Sequence, residues 1–210
     1  MKPLVTIMIP TYNQEAYLEC AIKSALAQDY DNLEVIVADD CSTDETRGIA
    51  QKYSANTRFK YYRNSANFGK TKNYRHCLHE LAGGEWVLNL DGDDYLTDNH
   101  YISFAMKQID LHDKVVLFTA GVIEASEKKY NMHYTHRIVE KQICMDGINL
   151  FLNWHSYKIP HLTSLYHRQT ACSIGFYASD ISSTDWESLL RLVLHGKAIL
   201  SDRIGGVWRK

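Results

Sequence analysis

The sequence predicts an α/β fold: a doubly wound, mostly parallel central sheet flanked by helices. Two observations carry that expectation. Short apolar, β-branched runs alternate with stretches of helical spacing along the first half of the chain. Three of those runs also end in polar loops, where an α/β sheet presents its ligand crevice. With 210 residues, 45% of them apolar and 23% charged, the chain has material for one such domain.

Taken in order, Leu4 to Ile9 is apolar and bounded by Pro10, a buried first strand. Asn13 is expected to cap a helix over residues 14–28, where Ala16, Leu18, Ala21, Ile22, Ala25 and Leu26 recur at helical spacing. Leu33 to Ala38 is the second strand and runs into Asp39-Asp40. Ser42 or Thr43 would cap the next helix, with Glu45 in its first turn. Phe59 to Tyr62 is a weaker third strand. Asn67-Phe68-Gly69 is a turn into a helix over about 70–82, ended by Gly83-Gly84. Glu85 to Leu90 is a buried strand, followed by Asp91-Gly92-Asp93-Asp94. The pattern changes past residue 113. Val115 to Ala120 is a strand, alternation around Tyr130–Val139 suggests a hairpin or edge strands, and residues 146–153 form a short helix. Leu162 to His167 is a further strand, and a helix over 184–195 turns Leu189, Leu190, Leu192 and Val193 inward.

Charge and composition exclude several classes. A net charge of −2 gives no basic field for nucleic acid. No apolar run reaches the roughly 18 residues of a membrane span. The five cysteines include no C-x-x-C pair, which argues for free thiols in a reducing compartment and against structural zinc. The ten histidines show no zinc spacing. Met1 leads directly into a strand, without a signal peptide, so the expected location is cytoplasmic. The chain stops at Trp208-Arg209-Lys210 without an obvious terminator, so a missing C-terminal segment is expected.

The acidic tetrapeptide is the main chemical signal. Three carboxylates within four residues repel one another, and a hard divalent ion such as Mg²⁺ or Mn²⁺ would relieve the repulsion while holding substrate phosphates. A plain Asp-Gly turn is the competing reading. An EF-hand loop is excluded, because Leu96 and Ile102 stand where Gly and Glu are needed. An aspartate-nucleophile phosphatase is excluded by Asp94-Tyr95. Pro10-Thr11-Tyr12-Asn13, Asp39-Asp40 and the tetrapeptide each follow a strand and should converge on one edge, which favours the metal–nucleotide reading. No Gly-rich dinucleotide loop or Walker loop is present. The break near residue 113 then separates a nucleotide-binding half from one for a second substrate.

Five blocks taken together resemble glycosyltransferase family 2, with the GT-A (Rossmann-like) fold and a smaller mixed acceptor-side region. They are Val5 to Asn13, Val35 to Asp44, Asn67-Phe68-Gly69 with Asn73, Gly84 to Asp94, and Arg168 to Tyr177 leading on to Thr184-Asp185-Trp186-Glu187 and Arg191. The resemblance implies one GT-A domain over 1–210, with a donor half (1–113) and an acceptor half (114–210). It implies an enzyme that moves a sugar, with inversion, from a nucleotide diphosphate, most often a UDP-sugar, to a glycan or lipid-linked saccharide in surface polysaccharide synthesis. Pro10, Thr11 and Tyr12 would line the nucleotide pocket, Asp40 would accept from the base, and Asp39 would orient the loop. Asn67 and Gly69 would lie along the nucleotide, with Lys70 or Lys72 near the diphosphate. Asp91, with Gly92 beside it, would meet the ribose or a metal-bound water. Asp93 would ligate Mn²⁺ or Mg²⁺ together with Asp91, with Asp94 a weaker candidate. Asp185 matches the catalytic base, although on the residues alone the helix-cap reading comes ahead of it. Work at the inner face of the membrane, through the missing C-terminal segment, is a further expectation, without a basic amphipathic helix to support it.

Three departures stand out. Thr184-Asp185 replaces Glu-Asp, Thr71-Lys72-Asn73 replaces Ala-Arg-Asn, and Trp208-Arg209-Lys210 replaces an Arg followed by His. Aromatic stacking on sugars makes Trp154, His155, Tyr157 and His161 acceptor-pocket candidates. Two other classes stay open: a sugar-nucleotide nucleotidyltransferase, for which the loop after the first strand lacks glycines and a basic residue, and a non-catalytic sugar-nucleotide-binding protein, which would have no need of Asp185.

Overall fold

The apolar runs of the first half lie side by side. In the computed structural model, which describes residues 2–127, 129–136 and 141–210, β1 (Val5–Thr11), β2 (Leu33–Asp39), β3 (Phe59–Arg63) and β4 (Trp86–Asn89) form a parallel sheet in the order β3-β2-β1-β4. Helices α1 (Leu18–Leu26), α2 (Thr46–Gln51) and α3 (Lys70–His76) make the crossovers, α3 continuing into a wide π turn over Cys77–Leu81. The same sheet continues through β5 (Tyr95–Leu96), β6 (Val115–Ser126), β9 (Leu165–His167) and β10 (Lys197–Arg209), with β7 (Lys129–His133) and β8 (Gln142–Asp146) on its margins. Among the described residues β1–β4, β6 and β10 run one way, while β5, β7, β8 and β9 run against them. Helices α4 (Tyr101–Ile109), α5 (Gly147–Leu152), α6 (Arg168–Ser173) and α7 (Thr184–Val193) complete the cover.

Both faces of β1, β2 and β4 are buried, which is why those strands read as continuous apolar runs. Ile7, Ile9, Val35 and Val37 face α1 and α4. Met8, Ile36 and Ala38 face Tyr74, Leu78, Tyr166 and Leu189 on the other side. Each such aliphatic side chain contributes roughly 1.5–3 kcal/mol by leaving water. Among the described residues no helix is long and apolar enough to cross a membrane, and all five cysteines are free.

Several local expectations are corrected. α1 begins at Leu18 rather than near residue 14, and Asn13 does not cap it. Asn13 adopts φ 52° and its Oδ1 accepts from Thr43 N at 2.8 Å. Ser42 and Thr43 do not cap α2 either. Glu45 holds that position without a side-chain bond, and Ser42 Oγ accepts from Asn13 N at 2.9 Å. These polar side chains stitch two strand-end loops together, and a group spent that way is not free for a helix end. Leu162 and Thr163 form a turn before β9, and β6 runs six residues past the expected strand end, to Ser126. The expected hairpin exists as β6–β7, while its last expected residues, 137–139, lie outside the described ones.

Candidate active site

The carboxyl ends of β1, β2 and β4 bring the three polar loops to one edge, as expected. A cleft of about 340 Å³ there is lined by Pro10, Thr11, Tyr12, Asp40, Asn67, Gly69, Lys70, Asp91 and Asp93, with Gln14, Asn73 and Tyr74. Lys72 is exposed and lines no cavity described, whereas Lys70 lines this one. Its neighbour, about 420 Å³, carries Asp94, Ile159, His161, Asp185, Trp186 and Trp208. The two cavities share Lys70 and Asp91.

Asp39 and Asp40 build the first cleft from below. Asp39 Oδ1 accepts from Ser42 N at 2.8 Å and Oδ2 from Tyr61 OH at 2.6 Å, so it orients the loop after β2. Asp40 is 2% exposed. Its Oδ1 accepts from Asn64 Nδ2 (2.8 Å) and Phe68 N (2.7 Å), and its Oδ2 from Gly69 N (2.8 Å). Gly69 sits at φ 85°, a conformation that side chains resist, and it starts α3. At Gly92 a Cβ would meet Gln14 Oε1 at 2.3 Å and Thr11 Oγ1 at 2.7 Å, so a larger residue there would displace the Gln14 and Thr11 side chains from the acidic loop.

The acidic loop holds more carboxylates than nearby cations, which are Lys70 and Arg209. One oxygen from each of Asp91, Asp93 and Asp94 falls within 4.8 Å of the others. Asp91 Oδ1 accepts from Tyr74 OH (2.5 Å) and Asn89 Nδ2 (2.7 Å), while its Oδ2 lies 3.8 Å from Lys70 Nζ. Burial, then the charge of Asp91, pushes the Asp93 carboxyl up from its ordinary range. Burial pushes that of Asp94 up to about 8 despite a bond from Arg209 N at 2.8 Å. Hard oxygens in a repelling cluster suit a divalent cation, which would reverse both shifts. Asp93 and Asp91 are open to such an ion; Asp94, 3% exposed, is committed to Arg209.

Sequence reasoning missed Tyr74, Asn89 and Arg209. Arg209 Nη1 donates to Asp93 O at 2.6 Å, and its guanidinium lies 4.5 Å from the Tyr95 ring. It fastens the end of β10 to the acidic loop. The one sequence signal was Trp208-Arg209, read as an interrupted ending.

Asp185 opens α7, where the positive helix end favours a carboxylate. Its side chain is 32% exposed, and its Oδ2 lies 4.0 Å from His161 Nδ1. Burial pushes the His161 imidazole below its ordinary value. His161 Nε2 bonds with Tyr177 OH at 2.6 Å. Tyr177 itself holds φ 59°, unusual for a bulky residue, and its N–H donates to Ser188 Oγ on α7 at 3.0 Å. Of the four aromatic candidates His161 lines the second cavity, and Trp154 packs edge-on against the lining Trp186 at 5.3 Å. His155 and Tyr157 do not line it.

Fold and site together define an α/β protein with a nucleotide-sized cleft, ended by carboxylates, that opens into a second cavity. Residues 6–176 match the model for glycosyl transferase family 2, and the chain belongs to that family. It is 36% identical over 114 residues to the poly(ribitol-phosphate) beta-N-acetylglucosaminyltransferase TarS of Staphylococcus aureus, covering 53% of this chain and 20% of that one. It is 40% identical over 97 residues to the GalNAc(5)-diNAcBac-PP-undecaprenol beta-1,3-glucosyltransferase of Campylobacter jejuni, covering 45% of this chain and 31% of that one. The crystal structure of S. aureus TarS 1-349 in complex with UDP superposes with a TM-score of 0.79 at 24% identity, covering 99% of this chain and 60% of the other. That likeness establishes the GT-A fold. The chain spans a fifth to a third of the length of these two curated relatives.

Proposed function

We propose that this chain transfers a sugar from a nucleotide diphosphate, a UDP-sugar, to a hydroxyl of a glycan or lipid-linked saccharide, with inversion, in surface polysaccharide synthesis. The observation that supports this reading is the junction of the two cavities at Lys70 and Asp91, with Asp93 on one side and Asp185 on the other. Residues 1–113 then supply the donor half and 114–210 most of the acceptor half. S. aureus TarS has been crystallised with UDP and with UDP-GlcNAc, which favours uridine as the base.

In this scheme Pro10, Thr11 and Tyr12 hold the base, and Asp40 sets the loop that carries Asn67 and Gly69 beside it. Asp40 Oδ2, which among the described residues accepts only from Gly69 N, retains acceptor capacity toward a ring N–H. Lys70 faces the diphosphate. Asp93 and Asp91 would hold Mn²⁺ or Mg²⁺, which when bound supplies Lewis-acid stabilisation of the leaving diphosphate. Asp185 accepts the proton of the acceptor hydroxyl as its oxygen bonds to the anomeric carbon. The carbon–oxygen bond to the diphosphate breaks on the opposite face, and a single displacement inverts the centre. General-base help of this kind is worth about 10²–10⁴-fold.

Calorimetric titration with UDP tests the donor site, first with Mn²⁺ and then with excess EDTA. Binding that needs the metal and disappears in Asp93→Ala is expected. Absence of binding in both conditions would overturn the UDP assignment.

A further inference from the structure

The acceptor-side cavity changes character along its length. Toward the donor cleft it carries Asp91, Asp94 and Asp185, with Lys70 beside Asp91. The middle is apolar and aromatic, with Val122, Ile159, Leu162, Trp186 and Trp208. The other end carries Glu124, His133 and Lys158. Lys158 Nζ bonds to His133 Nδ1 at 2.8 Å, and His133 Nε2 bonds to Glu124 Oε2 at 3.1 Å. Those two bonds together require the imidazole proton on Nε2, which leaves His133 neutral in this network. Glu124 is also paired with Lys210 at 3.1 Å, and Lys210 lies 4.9 Å from the Trp208 ring. Among the described residues Lys158 makes no ion pair. This wall therefore carries two ammonium groups against one carboxylate.

Lys158 is held where it stands. Its backbone N–H donates to Thr135 O at 2.8 Å, tying it to the chain just beyond β7. Three residues on, His161 touches Asn89 and lies beside Asp185. Three residues of extended chain span at most roughly 10 Å, about the length of one to two sugar rings. Lys158 lines this cavity and not the donor cleft, so the donor diphosphate does not account for it.

We infer that the acceptor is an anionic saccharide, with a carboxylate or phosphate on a sugar unit next to the one that carries the attacking hydroxyl. The anion sits on Lys158 and is aligned by the His133–Glu124–Lys210 network. The sugar rings pack along Trp186 and Trp208, and the hydroxyl reaches Asp185. A ligand with its negative charge at one end is favoured in one sense, because the reverse orientation takes the anion away from Lys158 and brings it against Asp185. This inference rests on the sugar-transfer reading and narrows its acceptor.

The test compares three probes on the full chain loaded with UDP and Mn²⁺: cellobiose, its derivative with a terminal glucuronate, and cellobiose carrying a 6′-phosphate. Binding is followed by ligand-observed NMR. At least one anionic probe should bind about tenfold more tightly than cellobiose. The gap should narrow in high salt, close in Lys158→Gln and persist in Lys158→Arg. A preference for the carboxylate points to uronic-acid acceptors, and a preference for the phosphate to phosphorylated ones. Equal binding of all three by the unaltered chain, no binding of either anionic probe, or a gap that survives in Lys158→Gln overturns the inference. The UDP titration of the same preparation reports on the donor reading by itself. UDP binding without anion preference sinks this inference alone.

Discussion

Two sets of buried carboxylates stand at opposite ends of this sheet, and the protein treats them in opposite ways. Glu34, near the start of β2, is opposite Thr6 in register. Its Oε1 accepts from Thr6 Oγ1 (2.6 Å) and Gly83 N (2.7 Å), and its Oε2 from Lys60 Nζ (2.7 Å). Burial works to raise its pKa, but the bonds from Lys60, Thr6 and Gly83 outweigh it, and the carboxyl falls below its ordinary range. At the other end, burial and mutual repulsion raise Asp93 and Asp94 instead. Glu34 is complete with what the chain provides. The acidic loop keeps two carboxyls raised even with Lys70 and Arg209 beside it, so its charges are not balanced as that of Glu34 is. A carboxylate that stabilises the fold and one that serves a site differ in who supplies the donors.

That contrast predicts activity losses without stability losses at one end, and the reverse at the other. The largest effect is expected at Asp185, with the acid cluster intact. Asp185→Asn should lower kcat by about 10²–10⁴-fold while UDP binding stays; a turnover assay with a calorimetric control checks this, and near-normal kcat would remove Asp185 as base. Next, Asp93→Asn should weaken Mn²⁺-dependent UDP binding without lowering the Tm, by at least the roughly 10–100-fold seen when a partner that only supports a metal ligand is lost. Unchanged Mn²⁺ dependence would assign the ion elsewhere.

Glu34→Gln should behave the other way. It leaves Lys60 without its carboxylate partner and costs roughly 1–3 kcal/mol in denaturant unfolding at pH 7, with UDP binding untouched. Because the folded pKa is depressed, this stabilisation is present above the ordinary carboxyl range and is lost as pH falls through the folded value. The difference between variant and parent should therefore shrink below about pH 4. A constant difference down to pH 2 would mean that packing, rather than charge, fixes Glu34.

The same contrast explains what could be read in the sequence. β1, β2, β4 and the acidic loop are legible because apolar runs and crowded aspartates are local signals. Asp40 stands out in the sequence only as a strand-end aspartate; its bonds to Phe68 N and Gly69 N come from a loop 28 and 29 residues away, which no spacing reveals. Asn13, Ser42 and Thr43 look like caps in the sequence because the residue types that cap helices also bridge loops. β10 was missed altogether. Asp202, Arg203, Gly205 and Gly206 look like a break, and the strand does shift register against β6 at Ile204 and Gly206. Its far end nonetheless pairs with β5, which brings Arg209 to Asp93 and Asp94. That closure joins residues more than a hundred positions apart. Lys70 and Lys72, two residues apart on one helix, are told apart only by the direction of the helix face.

The smallest expected effect, at Asp94, tests the contrast most closely. Its carboxyl is pushed up to about 8, so the folded chain keeps a proton there that the unfolded chain releases near pH 4. Protons bound by the native state alone make stability fall as pH rises, here between about 4 and 8. Asparagine keeps an oxygen to accept from Arg209 N but has no proton to lose. Without metal, the Tm of the unaltered chain should therefore drop between pH 5.5 and 8 by a few degrees more than that of Asp94→Asn. Scanning calorimetry at the two pH values, in EDTA, measures this. Mn²⁺ should raise the parent's Tm more at pH 8 than at pH 5.5, since a cation competes with protons for the cluster. Parallel pH slopes for parent and variant would mean that Asp94 is ionised in the resting protein. The acidic loop would then already be supplied with its countercharge, as Glu34 is, and the difference between the two ends of the sheet would disappear.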